Sequence, residues 1–356
     1  MDPPLPEPTE RFSVAFLRDH WYVACRSDQL GKRPLARTLL GVPLVLFRGE
    51  QRKPAALLDR CAHRNLPLSA GGVVDSRIEC AYHGWQYDDR GVCRLVPALI
   101  DEAEKRGRTV PAYPAVDHQG FVWVFANSER QPGEPPFSFP YLGARDYASV
   151  RFESEVQATV HATLENMLDV PHTAFLHRGL FRSGRRNRVT AIVRRWRDRV
   201  EAEYVGEPRP SGLAGRLLAP EGGTVVHFDR FLLPSIAQVE YRLGDRSHLV
   251  ITNALTPVSD FLTRFVSVVS FRLPLPAPLV RWLLTPVAKR IFLQDAWILR
   301  LQTESVRRFG GEHYVSTEVD LLGPHVWRLM KDASSDSEPA AAGATPSFEK
   351  TIELSV

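Results

Sequence analysis

Cysteine is scarce in this chain: four in 356 residues, Cys25, Cys61, Cys80 and Cys93. So few thiols exclude a disulfide-built scaffold. No G-x-G-x-x-G and no second cysteine cluster occur, which leaves no visible flavin, nicotinamide or plant-type ferredoxin module. Long apolar runs are missing too. Leu273–Val287 is broken by four prolines and one arginine and falls short of the roughly 20 residues that cross a bilayer. It reads as a core segment, with a pocket cover or a membrane-touching surface as alternatives. Residues 1–10 hold four prolines and no basic stretch, so neither a signal peptide nor a membrane anchor is expected there. The net charge of +4 identifies no partner. A cytoplasmic protein is the expectation.

Two short motifs are present instead: Cys61-Ala-His63-Arg64 and Cys80-Ala-Tyr82-His83-Gly84-Trp85. Two thiolates and two imidazoles suit either a closed structural zinc site or a Rieske [2Fe–2S] cluster, whose one iron takes two cysteines and the other two histidines. Zinc fingers usually group like ligands in one knuckle. Here each loop contributes one cysteine and one histidine, which a cluster needs because each loop must reach both irons. Gly71-Gly72 and Gly84-Trp85-x-Tyr87 also suit tight cluster loops. Cys25 and Cys93 remain as small buried side chains, although their spacing leaves a disulfide open.

A second constellation follows in Glu165-Asn166-Met-Leu-Asp169-Val-Pro171-His172-Thr-Ala-Phe-Leu-His177. On a helix, Asn166, Asp169 and His172 would share one face. His177 would lie roughly 140° from His172, so the histidines converge only where the helix ends or distorts, and Pro171 supplies a reason. The bland reading is an amphipathic helix with a wet side. A third ligand is expected from Gln294-Asp295-Ala-Trp-Ile298. Thr285-Pro286 reads as a helix start and Gly310-Gly311 as its end. Between them Asp295 falls on the apolar stripe of Ala288, Ile291, Phe292, Ile298 and Leu299. A carboxylate buried there is costly without a cation, so it needs an arginine or a metal. Two histidines and one carboxylate would leave coordination positions open.

In this order and spacing, C-x-H, C-x2-H, N-x2-D-x2-H-x4-H and the late D-x2-I-x3-Q resemble the oxygenase component of the Rieske non-haem iron oxygenases, over roughly residues 15 to 330. The closest likeness is to the single-subunit branch of phthalate oxygenase, vanillate and dicamba O-demethylases and ketosteroid hydroxylases. The extra loop cysteines of respiratory Rieske proteins are absent. The resemblance implies that Cys61, His63, Cys80 and His83 hold a [2Fe–2S] cluster and that His172, His177 and Asp295 hold a mononuclear Fe(II). It implies that Asp169 bridges to a cluster histidine of a neighbouring subunit in a homotrimer, with Asn166 close to the iron. Gln294 stands where the family has glutamate, a departure beside the third ligand. O2 is then the co-substrate, and electrons come from NADH or NADPH through a separate reductase or ferredoxin.

The rest of the chain reads as α+β. Residues 1–15 are expected to be a flexible N-terminus. An all-β Rieske domain over 16–135 has strands at Gly41–Phe47, Ala55–Leu58 and Gly120–Phe125. The proline-rich Pro132–Pro140 marks a boundary. A catalytic domain over 136–331 has strands at Ser149–Val156, Val189–Tyr204, Thr224–Phe231, Ile236–Leu243, Leu249–Leu255 and Arg264–Leu273. These β-branched and aromatic segments predict an antiparallel sheet, which fits the family's helix-grip (START-like) domain. Residues 332–356 are expected to be a flexible tail, with docking of Phe348–Val356 left open.

Phe228, Phe231, Val239, Thr252 and Asn253 are candidate pocket residues from strand position. The arginine-dense run Arg178–Arg199 reads as a solvated surface, a docking face for an acidic redox partner or an anion site, not a nucleic-acid surface. The expected reaction is monooxygenation, by hydroxylation or oxidative demethylation, of a small or medium apolar molecule. Oxidative cyclisation, desaturation, or a non-catalytic zinc or redox-sensing ligand-binding protein are the alternatives.

Overall fold

The computed structural model describes residues 16–100, 107–177, 188–207, 225–244, 246–334 and 345–355. Arg178, Arg182, Arg185 and Arg186 of the arginine run, and the expected flexible N-terminus, lie outside them. The chain forms two compact units. One comprises Phe16–Ser138 with Thr256–Ser259, and the other Phe139–Leu255 with Asp260–Val356.

The first unit is all-β. Its strands are β1 (Trp21–Arg26), β2 (Leu35–Leu39), β3 (Val42–Arg48), β4 (Pro54–Leu58), β5 (Gly72–Val74), β6 (Arg77–Glu79), β7 (Gln86–Tyr87), β8 (Cys93–Leu95), β9 (Ala112–Tyr113), β10 (Ala115–His118) and β11 (Phe121–Phe125). They form three small sheets ordered β1-β11-β10, β2-β3-β4-β9 and β5-β6-β7-β8. In β3 and β4 both faces are buried, so these strands read as continuous apolar runs. One core gathers Tyr22, Cys25, Leu44 and Val122. The other gathers Val45, Phe47, Leu57, Leu68, Ile78 and Tyr87 around Cys61, Cys80 and Cys93. All four cysteines are buried, and none forms a disulfide. Cys25 and Cys93 pack in different cores, which rules out the disulfide.

The second unit is an eight-stranded antiparallel sheet with helices. Its strands are β12 (Ala148–Val156), β13 (Arg188–Arg195), β14 (Arg199–Val205), β15 (Val225–Leu232), β16 (Ile236–Leu243), β17 (Ser247–Ser259), β18 (Leu262–Arg272) and β19 (Phe348–Ser355). The order is β12-β18-β17-β16-β15-β14-β13-β19. The segment Val189–Tyr204 is a hairpin, not one strand, turning where Trp196 N–H donates to Arg199 O (2.8 Å). The expected tail also differs from the structure: Asp332–Ser334 complete a helix, and Phe348–Ser355 pair with the whole of β13. There Phe348, Ile352 and Leu354 alternate onto the core, while Glu349 and Glu353 face water.

The helices are α1 (Val160–Leu168), α2 (Thr173–Leu176), α3 (Ala277–Phe309) and α4 (Gly323–Ser334). Thr159 caps α1 by accepting from Ala162 N–H (3.1 Å). The long helix α3 starts at Ala277, not at Thr285-Pro286, and carries Pro286 inside it. Thr285 Oγ1 donates to Arg281 O (2.7 Å) within the helix instead of capping it. The break that Pro286 suggests is therefore overridden, at the loss of one backbone bond. Gly310 ends α3 in the left-handed conformation (φ 74°), which glycine adopts without penalty.

Candidate metal centres

In the first unit the two motif loops close identically. Cys61 N–H donates to Leu66 O (2.8 Å) and Asn65 N–H to Cys61 O (3.0 Å); Cys80 N–H donates to Trp85 O (2.9 Å) and Gly84 N–H to Cys80 O (3.0 Å). Gly84 needs positive φ (68°), and a side chain there would lie 2.9 Å from Pro97 Cγ. Between the loops, the His63 and His83 ring centroids are 4.5 Å apart, and His63 stacks on Trp85 (4.8 Å, 2°). His63 Nδ1 is buried with no hydrogen-bond partner, a state that a buried polar nitrogen avoids unless something binds it. Burial and neighbouring Cys61 push the Cys80 thiol up, so the pair becomes thiolate only when a cation takes the charge. His63 and His83 thus face each other with His63 Nδ1 left over, and Cys61 and Cys80 neighbour one another; two thiols and two imidazoles are the donor types that a [2Fe–2S] cluster takes. Burial and Cys61 also push the Tyr87 hydroxyl far up. It stays protonated and shares a hydrogen bond with Cys61 Sγ (3.3 Å), the kind of contact that tunes a cluster.

In the second unit, α1 ends at Leu168 and Asp169 is extended (φ −90°, ψ 113°). His172 and His177 flank the single turn of α2. The helix is interrupted as Pro171 predicts, and both rings turn to one point. Asp169 does not reach His172 along a helix face. Its Oδ2 instead accepts from His172 N–H (2.9 Å) and from Nδ1 (3.2 Å). His172 Nε2 and His177 Nε2 are 3.3 Å apart. Asp295 Oδ1, from α3, lies 3.1 Å from His177 Nε2 and 3.7 Å from His172 Nε2. Asn166 Nδ2 donates weakly to Asp295 Oδ1 (3.5 Å).

The tautomers follow from the outer partners. His172 Nδ1 faces a carboxylate and His177 Nδ1 faces Gln294 Oε1 (3.0 Å); both are acceptors, so in neutral rings both protons sit on Nδ1. Two nitrogen lone pairs and a carboxylate oxygen are then left converging within 4.8 Å, which is repulsive without a cation and is a 2-His-1-carboxylate donor set. Burial raises Asp295 although both histidines oppose it. For His172, burial works downward, but the Asp169 bond and the Asp295 charge outweigh it and raise the ring. Gln294 explains its own departure from glutamate, since its amide oxygen does the same accepting. Gln294→Leu is expected to weaken metal binding roughly 10–100-fold, and Gln294→Glu to leave it near normal. A competition titration with Fe(II) reads both; equal affinity for the leucine variant would refute the role.

Beside this centre is a cavity of about 790 Å³ whose lining includes Asn166, Asp169, His172, Phe175, Tyr204 and Ile298. Glu165 also lines it. Its carboxyl is pushed up to about 7, first by burial and then by Asp320, Asp169 and Glu312, and the sequence carried no sign of this. The candidate pocket residues separate by face. Phe231, Ala237 and Asn253 pair across β15, β16 and β17, and Asp229 pairs with Val239. Since alternate side chains share a face, Phe231, Val239 and Asn253 lie on the face of Tyr204. Phe228 and Thr252 occupy the other face, with the Arg230–Glu240 ion pair, and none of the five lines the cavity.

Residues 20–114 match the Rieske [2Fe-2S] domain, and residues 156–335 match the vanillate O-demethylase oxygenase C-terminal domain. The oxygenase component of dicamba O-demethylase from Stenotrophomonas maltophilia is 33% identical over 172 residues, 46% of this chain and 49% of the relative. Methylxanthine N1-demethylase NdmA from Pseudomonas putida is 34% identical over 175 residues, 46% of this chain and 48% of the relative. The chain thus spans about half the length of these relatives in matched sequence. Among solved structures, dicamba monooxygenase bound to 3,6-dichlorosalicylic acid superposes with a TM-score of 0.76 at 24% identity, covering 90% of this chain and 98% of that one. NdmB from Pseudomonas putida CBB5 superposes with 0.73 at 25%, covering 93% and 94%. Two domain matches in the right order, each lying on the donor set its family would need, leave one assignment: the chain belongs to the Rieske non-haem iron oxygenases, in the branch that carries the vanillate O-demethylase catalytic domain.

Proposed function

We propose that this chain is the terminal oxygenase of a Rieske-type system and monooxygenates a small or medium uncharged, apolar organic molecule. The observation that carries the reading is the convergence of His172, His177 and Asp295 at the edge of a cavity that His172 also lines. In it, Cys61, His63, Cys80 and His83 hold the [2Fe–2S] cluster, and His172, His177 and Asp295 hold Fe(II). When bound, the cluster supplies single electrons and the iron the dioxygen chemistry. Asp169 and Gln294 keep the histidine Nδ1 protons in place, and Asn166 orients Asp295. Asp169 also bridges to a cluster histidine of a neighbouring subunit in a homotrimer, and a separate reductase or ferredoxin delivers electrons from NADH or NADPH.

The cavity lining argues for substrate charge. Among its described residues there is no lysine or arginine, whereas Glu165, Asp169 and Asp320 are present with Leu168, Phe175 and Ile298. An anionic substrate would meet like charge at short range, and an apolar one fits the volume. The relatives' names, dicamba O-demethylase and methylxanthine N1-demethylase, favour removal of a methyl group from oxygen or nitrogen.

Anaerobically purified protein should contain about three irons per chain with acid-labile sulfide, and show a Rieske-type EPR signal after dithionite reduction. Given a reductase, NADH and O-methyl or N-methyl aromatic probes, it should release formaldehyde. Zinc without sulfide would sink the reading, and so would full iron loading with no oxygen uptake.

A further inference from the structure

One face of α3 is apolar and yet stays open to solvent. Leu279, Trp282, Leu293 and Trp297 keep 43%, 72%, 56% and 50% of their surface exposed, and Pro286 and Arg290 between them are exposed too. At about 100° per residue these six positions fall within roughly 80° of the helix circumference, and at about 1.5 Å per residue they run over about 27 Å. The opposite side does the packing: Val280 and Leu299 are buried, and Phe292 and Ala296 pack against the core of the sheet. Single exposed hydrophobic residues are ordinary, but a continuous stripe with two tryptophans marks a surface that something else covers.

Charge narrows what that is. From Ala277 to Gln294 the helix has three cations, Arg281, Lys289 and Arg290, and no acid. Lys289 and Arg290 are exposed and stand beside Pro286, Leu293 and Trp297 along one shallow groove. Where two copies of this face met about a two-fold axis, those cations would oppose each other with no acid to answer them. Tryptophan and leucine flanked by lysine and arginine are instead the composition of a helix that lies in the surface of an anionic bilayer, with cationic heads reaching out to phosphate. We propose that α3 docks the protein on anionic lipid, with Leu279, Trp282, Leu293 and Trp297 entering the headgroup layer and Lys289 and Arg290 pairing with lipid phosphates. Among the described residues no helix is long and apolar enough to cross a membrane, and α3 lies along the surface.

What docking does for the enzyme rests on the proposed oxygenase reading. An apolar substrate concentrates in a bilayer, and a chain lying on that bilayer takes it up there instead of from dilute solution. Lipid binding itself needs no turnover, so it stands or fails apart from that reading.

The test uses the full chain and vesicles of phosphatidylcholine and phosphatidylglycerol in equal parts, or of phosphatidylcholine alone, with bound protein read by co-sedimentation. The mixed vesicles should be bound several-fold more tightly than the neutral ones, and added salt should release the protein. Lys289→Gln with Arg290→Gln should weaken binding about fivefold per cation lost. Trp282→Ser with Trp297→Ser should weaken it about tenfold or more, and brominated lipid should quench the tryptophan emission of the wild type more than that of this variant. Circular dichroism of both variants should match the wild type, since these side chains lie in water in the free protein. No binding, equal binding of neutral vesicles, or full binding by the tryptophan variant would overturn the proposal. A changed sedimentation velocity of the tryptophan variant without lipid would also overturn it and give the face to a second copy. Unchanged vesicle binding with slower reduction by the electron donor would overturn it in favour of that partner.

Discussion

An Asp295→Ala protein is expected to keep its cluster and lose its second metal. Iron should fall from about three to about two per chain, with the EPR signal of the reduced cluster unchanged. The reason is geometric: Asp295 is the one carboxylate residue grouped within 4.8 Å of both histidine donors among the described residues. Losing a direct ligand should cost more than the roughly 10–100-fold that follows loss of an outer partner, so turnover should drop below detection. Stability of the metal-free protein should not drop with it. Burial penalises the Asp295 carboxylate and raises it, so alanine removes a group whose charge is unfavourable without a cation. Thermal unfolding of the apo forms reads this half. Retained turnover, or an alanine variant much less stable than the wild-type apoprotein, would refute the assignment.

Gly71→Ala should unfold the cluster-binding core while its neighbour Gly72→Ala does nothing. A Cβ on Gly71 would sit 1.8 Å from Glu79 O and 3.2 Å from Ala81 N. Those are backbone atoms on either side of Cys80, and they cannot yield without displacing the thiol. Overpacking that cannot relax lies at the upper end of mutational costs, about 3–5 kcal/mol. A Cβ on Gly72 meets nothing within 4 Å, and its variant should stay within about 0.5 kcal/mol. Acid-labile sulfide and the unfolding midpoint measure both. Equal midpoints for the two variants would show that the loop is not held as described.

The glycine pair illustrates where sequence reasoning stops. Gly71-Gly72 stands out as a tight-loop signal, but only the approach of β6 assigns the need to the first and none to the second. The interruption at Pro171 is legible because proline acts locally on its own turn. Pro286 obeys the same local rule and is overruled, since α3 continues through it. The last strand was obscure for another reason. Phe348, Ile352 and Leu354 alternate among charges, and their partner β13 lies more than 150 residues earlier in the chain.

By itself the sequence determined which residue types stand at both candidate centres, in which order, and that each of the two motif loops supplies a cysteine and a histidine. Ligand type and short spacing are properties of the covalent chain, and they survive any arrangement of the fold around them. Tertiary structure alone decided which outer groups hold the histidines, why glutamine serves beside Asp295, which strand residues share a face with Tyr204, and that Leu279, Trp282, Leu293 and Trp297 stay exposed. Those depend on strand register and helix approach between distant segments, where a one-residue shift sends a side chain to the opposite face.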